Sequence, residues 1–204
     1  MELVKAKAIA DYVVDVVSPF CDRVKIAGSV RRGKAEVKDI EIVAIPRPCV
    51  DLFGAPTSGE TELDGMLRFL VEQGEMSLLK NGPRYKQAVL TPEGYPGGKA
   101  GINLDLFLVL PPAQWGVILA IRTGPADFSH WMVTPRCKGG GLPSEYQVRD
   151  GGVYLDGSLI EMPGEADLFK LLGMDWVEPG ERQAGWAIFP HPPALLPRGE
   201  GGRI

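Results

Sequence analysis

The sequence predicts an α+β protein of two lobes: a mixed sheet carrying helices, then a small α/β C-terminal lobe with an antiparallel sheet. Three observations lead there. Helix-period and strand-period segments follow one another as far as Pro111-Pro112, the character of the chain changes at that dipeptide, and residues 145–162 then read as short strands joined by Asp-Gly turns. The chain has 204 residues with 45% hydrophobic content, enough for one domain or two small ones. No apolar run approaches the roughly 20 residues of a membrane span, and the start lacks a signal-peptide pattern. A cytoplasmic or nucleoid-associated monomer with no membrane partner is expected.

The elements follow in order. Residues 3–17 place Leu3, Ala6, Ile9, Ala10, Val13, Val14 and Val17 on one helical face, and Pro19 ends that run. "RVKIAG" alternates as a strand closing on Gly28, and "DIEIVAI" alternates as a second. Residues 60–73 read as an amphipathic helix, and "RYKQAVLTP" and "INLDLFLVLPP" as strands flanking the turn-rich "EGYPGGKAG". Beyond the joint near residues 111–114, "AQWGVILAI" and "DFSHWM" read as helices. "EYQVR", "VYL" and "SLIEM" read as strands, "EADLFKLLG" as a last helix, and residues 186–204 as a Pro/Gly-rich tail. The expected division is 1–112, 113–185 and 186–204.

Charge and cysteines narrow the function. A net charge of −4 argues against a basic coat for indiscriminate nucleic-acid binding but leaves room for a local basic groove. Cys21, Cys49 and Cys137 are odd in number and widely spaced, so they read as reduced thiols. Trp115, Trp131, Trp176 and Trp186 read as core or interface anchors.

The chemistry gathers in "AGSVRRGKAEVKDIEIV". Asp39 and Glu41 lie two apart on a strand, so both point to one face while Ile40 and Ile42 point to the other. Two carboxylates on one sheet face repel unless a cation lies between them, and magnesium, which favours oxygen ligands, suits that place. Taken without the preceding turn, the pair would equally suit the protective charges of an edge strand. In the turn, Gly28 permits close approach, Ser29 is placed to cap a short helix, and Arg31 and Arg32 suit bidentate contact with phosphate oxygens. Asp105, an acid within the apolar "NLDLFLVL", is a third carboxylate. Three such acids suit a two-metal site.

Gly28-Ser29-x-Arg31-Arg32-Gly33, Asp39-x-Glu41 and Asp105 resemble the nucleotidyltransferase superfamily, and within it the family X DNA polymerases, the group containing DNA polymerase beta. "RTGPADFSHWM", "LPSEYQVRDGGVYLDG" and "ADLFKLLGMDWVEPGER" extend the resemblance over residues 5–183. It implies a nucleotidyltransferase palm followed by a C-terminal nucleotide-binding lobe. It implies Asp39, Glu41 and Asp105 as catalytic and metal ligands for two Mg2+ ions, with Mn2+ able to substitute. Gly28, Ser29, Arg32, Gly33, Arg122, Thr123, Gly124 and Ser129 would bind a dNTP, and Lys80, Arg84 and Lys86 would grip the DNA primer/template. The last three also read as solvated surface charges.

Several positions depart from the family pattern. Glu41 stands for an Asp, Asn103 for an arginine, Ile121-Arg122 for an aromatic pair and Ser129 for an asparagine. Gly124-Pro125 falls where the family has a cis peptide. No lyase lobe or helix-hairpin-helix clamp is seen before the palm, which implies a minimal enzyme with a weak grip on DNA. The expected function is extension of a DNA 3′ end in repair gap filling, with pyrophosphate release. The alternatives are nucleotidyl transfer to a small molecule, protein or RNA end, and a catalytically silent DNA-end-binding module.

Overall fold

The computed structural model describes residues 1–92, 95 and 100–182. The expected tail at 186–204, Trp186 and most of the turn-rich segment before Ile102 lie outside the described residues.

Helix α1 (Leu3–Val17) buries Ala6, Ile9, Ala10, Val13 and Val17, and Pro19 sits in the 3-10 turn that ends it. There follow β1 (Cys21–Ile26), the short α2 (Gly28–Arg31) and β2 (Asp39–Pro46). A hairpin of β3 (Pro48–Val50) and β4 (Pro56–Thr61) comes next. Helix α3 (Glu62–Glu72) opens on a capping box in which Thr61 and Asp64 satisfy each other's backbone N–H groups. Strands β5 (Met76–Asn81), β6 (Tyr85–Leu90) and β7 (Ile102–Leu108) complete a five-stranded sheet of order β1-β2-β7-β6-β5. Only β2 and β7 pair in parallel among these neighbours.

Alternation divides the sheet into two faces. On one, Ile40, Ile42, Leu104 and Leu106 join the buried residues of α1 and α3 in a single core. Each such isoleucine or leucine contributes roughly 1.5–3 kcal/mol by leaving water. On the other, Val43, Phe107 and Val109 pack against Trp115 and Leu119 of α4 (Trp115–Thr123).

Helix α5 (Ala126–Val133), the sheet of β8 (Tyr146–Arg149), β9 (Gly152–Leu155) and β10 (Ser158–Ile160), and α6 (Glu165–Leu172) then build a separate core around Phe128, Met132, Val153 and Phe169. Both hairpins turn on Asp-Gly pairs with positive φ at each residue: Asp150 at 49° and Gly151 at 76°, Asp156 at 49° and Gly157 at 81°. That is the geometry these turns need to match the strand twist. Among the described residues the cis peptide bond is Pro111-Pro112, so Gly124-Pro125 departs from the expected cis form. No helix among them is long and apolar enough to cross a membrane.

Candidate active site

The acids stand on the α4 face, at the end of the sheet that α4 leaves open. Glu41 lies directly opposite Asp105 across the parallel β2/β7 pair, and Asp39 opposite Asn103. The carboxylates therefore share one face, while the alternating Ile40 and Ile42 are fully buried on the other. Among the described residues no group of three or more His, Cys, Asp or Glu side chains is already placed to hold a metal ion. The trio is a shared acidic surface whose all-oxygen donors suit a hard divalent cation.

Glu41 is longer than aspartate, and Gly28 makes room for it. A Cβ at Gly28 would fall 1.6 Å from Glu41 Oε2, and φ there is +59°. Only glycine satisfies both demands. Burial, then repulsion from Asp39, pushes the Glu41 carboxyl up to about 7, with Arg32 and Arg122 pulling the other way. Asp105 is held differently. Its Oδ1 accepts the Tyr85 hydroxyl at 2.6 Å and Gln87 Nε2 at 3.2 Å. Partial burial and the bond to Asp105 push the Tyr85 phenol up to about 12, so it acts as a donor.

Ser29 is not the cap of α2. Ala27 occupies that position, without a side-chain hydrogen bond, because the helix begins two residues earlier than expected. Ser29 Oγ is instead buried without a partner among the described residues, as is Arg32 Nε. Buried polar atoms left unpaired are costly and ask for a ligand. Arg32 Nη1 donates to the carbonyls of Thr123 at 2.7 Å and Gly124 at 3.2 Å, leaving Nε as a buried donor without a partner among the described residues. Exposed Gly33 shapes the following turn at φ +68°.

Arg31 has a role the sequence did not reveal. It grips both oxygens of Glu165, at 2.9 and 2.5 Å, and donates to Thr123 Oγ1 at 2.6 Å. Arg182 donates to the same carboxylate at 2.8 Å. Burial alone would raise the Glu165 carboxyl, but these bonds hold it below the usual range. The bridge ties α2 to α4 and α6, so Arg31 is committed to structure. Thr123 is fully buried within it.

Two more expected contacts are corrected. Lys86, expected on DNA, is 3% exposed and points with Ala88 and Leu90 to the α3 face. Its Nζ meets Asp64 Oδ1 at 2.6 Å and also donates to Asn81. A phosphate cannot reach it there. Ser129, expected at the base, donates its hydroxyl to the Ile121 carbonyl at 2.6 Å and closes the α4–α5 corner. A carbonyl near a helix end needs such a donor. Lys80 and Arg84 remain exposed, Arg84 resting on the carbonyls of Pro111 and Asp150. Arg122 lies 4.0 Å over the Phe107 ring, close enough for Glu41 and Asp105 to favour its charge although burial lowers its pKa.

The fold is polymerase beta-like. Among solved structures the chain is similar to Leishmania infantum polymerase beta in a ternary primer/template complex, with a TM-score of 0.68 and 17% identity over 90% of this chain and 76% of that one. It is similar also to the same protein in a ternary gap complex, with a TM-score of 0.69 and 15% identity over 90% and 70%. No protein-family model and no curated protein matches the sequence.

Proposed function

We propose that the chain is a family X-type DNA polymerase that extends a DNA 3′ end by template-directed nucleotidyl transfer, as in repair gap filling. One observation carries the reading: Ser29 Oγ and Arg32 Nε are buried donors without a partner among the described residues, beside the Asp39/Glu41 face. An anionic ligand with several oxygens would satisfy both once the turn shifts to admit it, and a triphosphate would do so next to carboxylates able to hold its metal. The similarity to polymerase beta complexes with primer and template suggests DNA as the acceptor.

Two magnesium ions, when bound, would lower the pKa of the primer hydroxyl and offset triphosphate charge. Asp39 and Glu41 would hold one of them at the nucleotide, and Asp105 would help hold the other at the hydroxyl. Ser29 and Arg32 would donate to the β and γ phosphates, so charge moving onto pyrophosphate meets donors already in place. Gly28 keeps Glu41 against this cradle. Arg122 and the backbone of Thr123 and Gly124 would border the sugar. Lys80 and Arg84 supply backbone grip, and residues 1–112 and 113–185 serve as palm and nucleotide-binding lobe.

The test is a labelled primer on a one-nucleotide gap, with each dNTP separately and Mg2+ or Mn2+. Extension by the complementary nucleotide alone is expected. Extension by all four would mean terminal transfer, and none, with nucleotide bound, would mean another acceptor.

A further inference from the structure

We propose that Tyr85 and Gln87 are positioning residues that clamp one oxygen of Asp105 and leave the other to the reaction, an inference that rests on the polymerase reading. Gln87 lies directly opposite Asp105 in the antiparallel β6/β7 register, and Tyr85 opposite Phe107. Side chains two apart on a strand share a face, so β6 presents a hydroxyl and an amide together to the one carboxylate of β7. Both donors converge on Oδ1, at 2.6 and 3.2 Å, and among the described residues Oδ2 accepts no hydrogen bond.

The clamp is itself braced. The Tyr85 ring stacks on Phe107 with centroids 5.2 Å apart and planes 22° apart, and Lys80 lies 5.5 Å from the Tyr85 centroid. Phe107 is 8% exposed and carries the Arg122 guanidinium 4.0 Å from its centroid. The phenol therefore cannot swing away without breaking a stacked pair. Neutral donors suit this place. They fix the carboxylate's plane but leave its full negative charge, whereas a direct ion pair would spend that charge before a divalent cation arrived. Partners of this kind behind a ligating carboxylate typically matter by about 10- to 100-fold in metal affinity or activity.

Tyr85→Phe removes the hydroxyl and keeps the ring stack; Gln87→Ala removes the weaker donor. In the full chain, Mn2+ alone is titrated by electron paramagnetic resonance, and single-gap extension is followed against dNTP concentration. Tyr85→Phe is expected to weaken Mn2+ binding and lower kcat, each by about 10-fold, while leaving the dNTP KM and the melting temperature nearly unchanged. Gln87→Ala should do less, and the double variant less than the product of the two, since both act on one atom. Unchanged Mn2+ affinity and kcat would overturn the proposal, making these bonds plain ties between strands. So would kcat and KM changing together with a fall in melting temperature. A wild-type chain that binds Mn2+ but extends no primer overturns the polymerase reading alone, and weaker Mn2+ binding by Tyr85→Phe still supports the clamp. A wild-type chain that binds no Mn2+ overturns both.

Discussion

The two faces of the five-stranded sheet handle charge in opposite ways. Toward α1 and α3, Lys86 is buried, yet it meets Asp64 at 2.6 Å, and Asp64 also takes the backbone N–H and hydroxyl of Thr61. Burial would raise the Asp64 carboxyl, but the bonds from Lys86 and Thr61 hold it below its ordinary range. Toward α4, Glu41 is pushed the other way, to about 7, and Ser29 Oγ and Arg32 Nε lie buried with nothing to bond among the described residues. The first face is complete as it stands, whereas the second is complementary to something cationic and something anionic. Satisfied burial marks stability and unsatisfied burial marks a site.

The largest test of that contrast is Asp105→Asn. The amide keeps the size and the strand, so the melting temperature should stay within about 2 °C, while single-turnover gap extension falls about 1,000-fold, near 4 kcal/mol on the barrier. Extension surviving within about tenfold would remove Asp105 from the chemistry.

Lys86→Met probes the complete face. It strands a partly buried Asp64 carboxylate and should destabilise by about 3 kcal/mol in urea unfolding, with dNTP affinity of the folded protein unchanged. Combining it with Asp64→Asn should recover part of the loss, and the double-mutant cycle gives the coupling. A Lys86→Met variant of normal stability that lost only DNA binding would reverse the contrast.

Lys86 also shows where reading the sequence stops. The alternation in "YKQAVL" is plain, but it assigns Tyr85, Gln87 and Val89 to one face and Lys86, Ala88 and Leu90 to the other without saying which face meets solvent. Only the pairing with α3 decides that, and Asp64 lies on a distant element. The same limit hid the Arg31–Glu165–Arg182 bridge, whose members come from three separate segments. Period alone located α1 at Leu3–Val17 and put Asp39 and Glu41 on a common face, because those patterns are local. Strands β3 and β4 escaped because Pro and Gly interrupt any alternation in "PCVDLFGAPTSGET", and β5 because "MSLLKN" is too short a signal. Ser29 was located within the turn, but its cap role was not realised, since helix boundaries shift by one or two residues without changing composition, here by two.

Ser29→Ala sharpens the contrast at smaller scale. Deleting a buried hydroxyl that bonds nothing should leave stability equal or raise it by up to about 1 kcal/mol. The dNTP KM should rise about tenfold, or roughly 1.4 kcal/mol of lost phosphate contact. Loss of stability with unchanged KM would make the hydroxyl a packing group.

The gentlest test is pH. In the metal-free chain Glu41 keeps its proton up to about 7 when folded, against an ordinary 4.5. Between those values the folded state binds the extra proton. The stability Glu41 supplies is therefore complete below the lower value and lost as pH rises through the upper one. Glu41→Gln lacks this slope, so its melting temperature, measured with chelator from about pH 5 to about pH 8, should rise relative to wild type across that range. Added Mg2+ or Mn2+ should act oppositely on wild type, because the cation binds the deprotonated carboxylate and stabilises the fold more as pH increases. Parallel curves for wild type and Glu41→Gln would mean that the α4 face carries its acids without penalty. The two faces would then differ in exposure alone.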